Sequence, residues 1–379
     1  MKNAVTILGA GLGGLTLARV LHVHGIDAVV YEAEASPAER SQGGLLDVHV
    51  YNGQLALKSA GLYEEFLGLI QAEAESQYVL DKDGNVLLFD PDKGNGGRPE
   101  VARGELRGIL LDSLPAGMVR WGHKTTAVTS LGNGQHAVSF ANGVTATTDL
   151  LVGADGAWSR VRPLLSSAMP AYLGTAFIET FLFDSDVRHG ATAEAVGKGT
   201  MMALAPGKGI MAHREANATL HAYVALNKSE AWIASIDPGD PAATLARVAT
   251  EFEGWAPQLT ALLTDTETDP VLCPIYALPI DHRWDHVAGI TILGDAAHLM
   301  SPFAGEGANL AMYDGALLGE AIAANPDAIE AAIVTFENEM FCRSASAAAE
   351  ADRNLRLFFN EDSPQSVVDL FASFQSVGS

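Results

Sequence analysis

Apolar and polar positions follow two different rhythms along this chain. Near the N-terminus the apolar run Val5-Thr6-Ile7-Leu8 gives way to Gly9-Ala10-Gly11-Leu12-Gly13-Gly14, and a helical spacing then carries Leu15, Ala18 and Leu21 as far as Gly25. A second apolar run, Ala28-Val29-Val30-Tyr31, ends at Glu32. This reads as strand, glycine turn, helix, strand. Apolar runs ending in Gly-Asp turns return at Asp149 to Gly156 and at Gly289 to Asp295, as buried parallel strands do. From Tyr172 to about Cys273 the rhythm becomes alternating, in Thr175 to Phe183, Thr200 to Ala205, Gly209 to His213 and Thr219 to Leu226, with a helical piece at Pro241 to Glu253. That pattern predicts a mainly antiparallel sheet with one face available to a ligand. Tyr78 to Leu80 and Val86 to Phe89 flank an acidic glycine turn and predict a hairpin. Gln54 to Gly61 and Tyr63 to Ala72 predict helices. The stretch Asp327 to Glu361 contains neither proline nor glycine and predicts a long helix.

The first turn carries chemistry. Gly9 permits a tight turn, Gly11 leaves the backbone open to a pyrophosphate, and Gly14 lets the helix lie close on the strand. The free N–H groups at the helix start favour phosphate. Glu32 stands 18 residues beyond Gly14, where a ribose hydroxyl needs an acceptor. Strand, helix and acid together point to an adenine dinucleotide. Asp155, in Gly153-Ala154-Asp155-Gly156, occupies the position where doubly wound folds place ligand contacts. Asp295 precedes Pro302-Phe303-Ala304-Gly305-Glu306-Gly307-Ala308-Asn309, whose small residues let backbone N–H groups approach a ligand closely. Arg103 and Arg107 lie four apart on one helical face, either as two cations meeting a phosphate or flavin edge or as a surface pair bridged by Glu105. Arg40 lies in a polar loop, where a solvated charge is the plain alternative to a ligand contact.

Bulk properties narrow the field. The 379 residues suit two domains, or one large domain with an insertion, and an apolar content of 48% is ample for a sizeable core. A net charge of −23, scattered along the chain, argues against nucleic acid or an anionic membrane as partner. Cys273 and Cys342 have no partner spacing, so a reduced, cytoplasmic setting is expected. No signal peptide or membrane span is expected, because a strand begins almost at Met1 and the run Ala308 to Ala324 carries Asp314 and Glu320. No metal is expected either. His282 and His286 are four apart but follow Pro279 and lack a third ligand. Val196 to Thr200 lacks the first glycine of a phosphate loop, and His22 and His24 cannot share a helical face.

Three pieces stand together: Gly9 to Gly14 with Glu32, the Asp155-Gly156 turn, and Gly294-Asp295 followed by Pro302 to Gly307. This combination resembles the single-component FAD-dependent aromatic hydroxylases, the p-hydroxybenzoate hydroxylase-like family. Within that family, Gly43-Gly44-Leu45-Leu46-Asp47, the run Glu105-Leu106-Arg107 to Leu114, and Gly294 to Asn309 are most similar to the tetracycline-inactivating monooxygenases.

The resemblance implies an α/β fold with a Rossmann-type FAD domain (1–72, 99–170 and 279–325), a sheet-rich α+β substrate domain (73–98 and 171–278) and a C-terminal helical segment (326–379) bridging them. FAD would be held by Gly9, Gly11, Gly14, Glu32, Asp47, Arg103, Arg107, Asp155, Gly294, Asp295, Ala308 and Asn309, with Pro302, Gly305 and Gly307 nearest the flavin. Arg40 would assist NADPH, or NADH in its place. The reduced flavin would take up O₂ as a C4a-hydroperoxide and hydroxylate an aromatic or polyketide ring, a tetracycline among the candidates, without a side-chain nucleophile. His221, Asn354, Met211, Phe303 and Phe358 fall at substrate positions. Glu179 and Thr200 fall there too, where the tetracycline-inactivating enzymes carry glutamine and arginine. The enzyme would act as a monomer. Two alternatives stay open: a flavin oxidase or reductase without oxygen insertion, and a non-catalytic flavoprotein that sequesters a ligand.

Overall fold

The structure, a computed structural model, describes all residues except 1–3, 40–43, 72–73, 93, 95–96, 238 and 378–379. The chain forms two compact units. The first comprises Met1–Ile70, Val101–Ala171 and Ala277–Asp352, the second Gln71–Glu100, Tyr172–Tyr276 and Arg353–Ser379.

The first unit is built on a five-stranded sheet in the order Ile290–Ile292, Leu151–Gly153, Val5–Leu8, Ala28–Tyr31, Val119–Arg120. Every pairing in it is parallel. Three neighbouring strands, Ile290–Ile292, Leu151–Gly153 and Val5–Leu8, are buried throughout, so they read as unbroken apolar runs rather than alternating ones. The helices Leu12–Val23 and Gly307–Ala324 pack together through small residues. A Cβ on Gly315 would stand 2.4 Å from the carbonyl oxygen of Gly13, and one on Gly319 would stand 2.7 Å from Val20 Cγ1. The expected Tyr63 to Ala72 helix is shorter, Tyr63–Leu67, with Gly68 capping it; Ala72 lies outside the described residues. The unit also holds a three-stranded antiparallel sheet, Thr125–Gly132, Gln135–Phe140 and Thr145–Thr148.

The second unit is a seven-stranded sheet in the order Val271–Ala277, Ala171–Leu182, Thr219–Asn227, Lys208–Glu215, Thr200–Ala205, Gln77–Leu80, Val86–Asp90. The hairpin at its edge turns where expected. Asp81 accepts from the backbone N–H groups of Asp83 and Asn85, each at 2.9 Å, and Gly84 takes the left-handed φ of 84° that the turn requires. One face of this sheet buries Ile178, Met201, Ala203, Ile210, Ala212, Ala222 and Val224 in a core shared with Leu259, Leu262 and Leu263 of the helix Pro257–Thr264. Strand alternation puts the opposite residues, including Glu179, Thr200, Met211 and His221, on the other face. The long C-terminal helix is present as Ile329–Phe358. Among the described residues no helix is long and apolar enough to cross a membrane.

Candidate active site

The parallel strands of the first unit end at a groove of about 850 Å³, near the upper end of the ligand-pocket range of roughly 300–1,000 Å³. Its geometry begins with the glycines. Gly9 has φ 102°, and a Cβ there would stand 2.2 Å from the carbonyl oxygen of Ala154. A Cβ on Gly14 would stand 2.2 Å from the carbonyl oxygen of Gly9. Gly11 is different: nothing lies within 4 Å of its Cβ position, so its bare side opens onto space while its residue lines the groove. Glu32 lines the groove and also fastens the turn, accepting from the N–H of Ala10 at 2.6 Å and of Glu34 at 3.0 Å.

Asp155, Gly294 and Asp295 line the same groove. One Asp155 oxygen accepts from the N–H of Arg160 at 2.7 Å, whereas Oδ1 is buried without a partner, and burial pushes the carboxyl pKa up. A hydroxyl-bearing ligand would satisfy that oxygen. Behind the turn, Arg162 donates to the carbonyls of Ala296 at 3.1 Å and Ala157 at 2.8 Å, tying the Asp155 turn to the Asp295 segment. Gly294 is held in turn by Asp314, which is fully buried. Asp314 accepts from the N–H of Gly294 at 3.2 Å, pairs with His298 at 2.6 Å, and takes a bond from Arg343 at 2.9 Å.

The two arginines on one helical face part company. Arg103 lines the groove. Arg107 is buried, donates to the carbonyl of Ala10 at 3.0 Å, pairs with Glu34 at 3.1 Å and lines a separate cavity of about 470 Å³. It therefore supports the glycine turn from behind. Arg40 and Gly43 lie outside the described residues.

Pro302, Gly305, Gly307 and Ala308 line the groove at the start of the Gly307–Ala324 helix, with Asp47 beside them. Gly305 adopts φ 66°, and its Cβ position lies 3.1 Å from Asp47 Oδ2, so only glycine fits there without strain. Asn309 is wholly buried and stands outside the groove lining. Its amide donates to the carbonyls of Asp47 at 2.8 Å and Gly305 at 3.0 Å, and its oxygen accepts from the N–H of His49 at 3.0 Å. Phe303 is half-buried in the same loop.

Beneath this loop sits a network that spacing alone does not reveal. His49 meets Asp47 at 2.9 Å and Glu306 at 3.2 Å, Tyr51 donates to Glu306 at 2.5 Å, and Asn52 donates to Glu306 at 2.7 Å. Burial alone would lower the His49 pKa, but the bonds to Asp47 and Glu306 raise it to about 9. Burial would likewise raise the Glu306 pKa, and the bonds from His49, Tyr51 and Asn52 lower it instead. Only Glu306 carries a sequence signal, as the single charged side chain between Pro302 and Asn309.

The sign of the resulting pH dependence follows. His49 titrates higher in the folded chain than its ordinary 6.5, so its stabilisation is complete below that pH and is lost as pH rises through about 9. The difference in melting temperature between wild type and His49→Gln is expected to be largest at acid-to-neutral pH and to shrink above pH 9. A difference that does not change across that range would contradict the assignment.

In the second unit, strand register gathers the predicted substrate residues. Thr200 stands opposite His213, His213 opposite His221, and His221 opposite Phe181. Met211 and Glu179 both stand opposite Tyr223. Glu179, Thr200, Met211 and His221 therefore share one face. Phe181 stacks on His221 with ring centroids 4.1 Å apart. His221 Nε2 meets Glu179 at 2.6 Å and Nδ1 meets Glu215 at 2.8 Å, so both ring nitrogens are engaged within the unit. Burial would lower the His221 pKa, yet Glu179 and Glu215 raise it. Burial would raise the Glu215 pKa, but His213 and His221 pull it down to about 2. Asn354 and Phe358 are buried at the end of the long helix, where Phe358 packs edge-on against Phe371. His282 and His286 do not converge: His282 meets the carbonyl of Ala297 and the hydroxyl of Ser166, whereas His286 meets Glu337 and Glu330.

The FAD binding domain family matches residues 2–349. A monooxygenase of Emericella nidulans, asqM, is 31% identical over 97% of this chain and 97% of its own length. Among solved structures, Klebsiella pneumoniae HpxO complexed with FAD and uric acid superposes with a TM-score of 0.79 at 24% identity, covering 98% of this chain and 93% of that one. The tetracycline destructase Tet(55) superposes at 0.77 with 19% identity, over 99% and 95% of the two chains. The chain belongs to the FAD binding domain family of p-hydroxybenzoate hydroxylase-like enzymes. It is an FAD-dependent monooxygenase, and the open Gly11, the unpartnered Asp155 oxygen and the glycine-rich loop fit that cofactor.

Proposed function

We propose that this enzyme uses NADPH or NADH and O₂ to hydroxylate an aromatic or polyketide ring carrying a hydroxyl or N–H group. When bound, FAD supplies hydride acceptance and the transfer of one oxygen atom from O₂. The chain supplies position and electrostatics. Gly11 and the following helix start would take the pyrophosphate, Glu32 a ribose hydroxyl, and Asp155 and Asp295 further hydroxyls. The N–H groups opening the Gly307–Ala324 helix favour partial negative charge near the flavin. Arg40 is proposed to assist the nicotinamide cofactor.

The observation that supports the substrate class is the polar face of the second sheet. Its aromatic side chains Phe181 and Tyr223 suit a flat ring, and the Glu179 carboxylate suits a hydrogen-bond donor on it. His221 acts through Glu179, because its own nitrogens are already committed. Glu179 and Thr200 replace the glutamine and arginine of the tetracycline-inactivating enzymes, so tetracyclines belong in a test panel beside simpler phenols and N-heterocycles.

The test is anaerobic stopped-flow reduction of the bound flavin by NADPH and by NADH, with and without each panel compound. A compound that accelerates reduction and is recovered one oxygen heavier after aerobic turnover supports the proposal. Fast reduction that never yields an oxygenated product would favour an oxidase or reductase.

A further inference from the structure

The polar face of the second sheet holds a cluster that the hydroxylation chemistry does not use in full. His213, on strand Lys208–Glu215, pairs across the sheet with His221 on strand Thr219–Asn227. Glu215 lies two residues along from His213 on the same face. Two imidazole nitrogens aim at one carboxylate oxygen: His213 Nε2 lies 3.3 Å and His221 Nδ1 lies 2.8 Å from Glu215 Oε1. The three donor atoms all fall within 4.8 Å of one another. Ligands about 2.0–2.1 Å from a tetrahedral zinc-like ion stand roughly 3.3 Å apart; both imidazole–carboxylate separations lie within about half an ångström of that spacing, and the two imidazoles would close on the ion from within 4.8 Å of one another.

We propose that His213, Glu215 and His221 form a binding site for a first-row divalent cation, with Glu179 as the group that orients His221. Two histidines and one carboxylate make a three-ligand set that leaves coordination positions open. Glu179 accepts from the far nitrogen of His221 at 2.6 Å, which is the carboxylate–histidine–metal arrangement that fixes the tautomer and raises ligand basicity. Phe181, stacked on the His221 ring, holds its plane. With both histidines neutral, Glu179 and Glu215 contribute two negative charges, matching a divalent ion. The cation replaces the proton shared by His221 Nδ1 and Glu215, and that proton leaves to solvent. The open positions would accept paired oxygen donors, as in a catechol or a hydroxy-ketone. That last consequence rests on the proposed substrate class; the cation site does not.

The test is isothermal titration of tag-free, FAD-loaded protein with Zn²⁺ and with Co²⁺, in two buffers of different ionisation enthalpy and without NADPH or substrate. One ion per chain with micromolar or tighter affinity is expected, releasing about one proton. His213→Ala and Glu215→Gln are expected to abolish binding, and Glu179→Gln to weaken it roughly 10–100-fold. Glu330→Gln, which alters a separate histidine–carboxylate cluster at His286, is expected to leave it unchanged. Should His213→Ala fail to fold, the near-isosteric Glu215→Gln decides. Absence of stoichiometric binding, or binding that survives Glu215→Gln, overturns the site. Because no turnover is measured, that failure would leave the monooxygenase reading untouched.

Discussion

Gly11→Ala is expected to give a folded protein of near wild-type stability that binds FAD poorly, while Gly14→Ala is expected to lose both stability and FAD. The two residues belong to one glycine motif, and their surroundings differ. Gly11 has φ −77°, which any residue adopts, and no atom within 4 Å of its Cβ position. An added methyl there therefore meets only the incoming ligand. If the clash costs the ~1–3 kcal/mol typical of overpacking, affinity falls roughly 10–100-fold. At Gly14 the new Cβ would stand 2.2 Å from the Gly9 carbonyl oxygen, so the helix must move off the strand. That movement should cost about 3 kcal/mol, or roughly 6–12 °C in melting temperature. FAD titration and thermal unfolding of both variants check the pair. Equal losses of stability would show that Gly11 is not facing open space.

The second large effect is expected at Glu306. Its carboxylate serves His49, Tyr51 and Asn52 together, under the loop that carries Gly305 and Gly307. Glu306→Leu leaves a buried imidazolium with Asp47 as its one remaining carboxylate partner and takes an acceptor from a hydroxyl and an amide. Removing one member of a buried ionic cluster costs about 3–5 kcal/mol. Glu306→Gln keeps an acceptor and should cost less. FAD retention should fall in the same order, because Asp47 and the Gly305 carbonyl are anchored through Asn309 to the same network. A Glu306→Leu protein that melts like wild type and keeps its FAD would remove the network from the account.

The flavin half of this molecule is legible in its sequence because its chemistry is local. Gly9, Gly11, Gly14 and Glu32 fall within one βαβ unit, and Asp155 and Asp295 each sit directly after an apolar strand. The buried supports are not local. Asp314 and Glu306 show in sequence as lone acids among apolar or small residues, yet their partners His298, Arg343, His49 and Tyr51 are set by packing. Arg107 illustrates the limit. Helical spacing pairs it with Arg103, but burial turns its guanidinium onto the Ala10 carbonyl and Glu34. The Gly315 and Gly319 contacts depend on how two helices cross, which no single segment encodes. In the second unit, alternation predicts one available face, and strand register alone brings His213 and Glu215 beside His221. Residues of neighbouring strands become a cluster there only once the pairing is fixed.

The most direct test of the central claim is turnover under ¹⁸O-labelled dioxygen with NADPH and whichever ring compound best accelerates flavin reduction. The account predicts a product carrying one labelled oxygen atom per molecule, formed in step with NADPH consumed. A product bearing oxygen from water, or NADPH consumption that yields only peroxide with every ring compound, would contradict it.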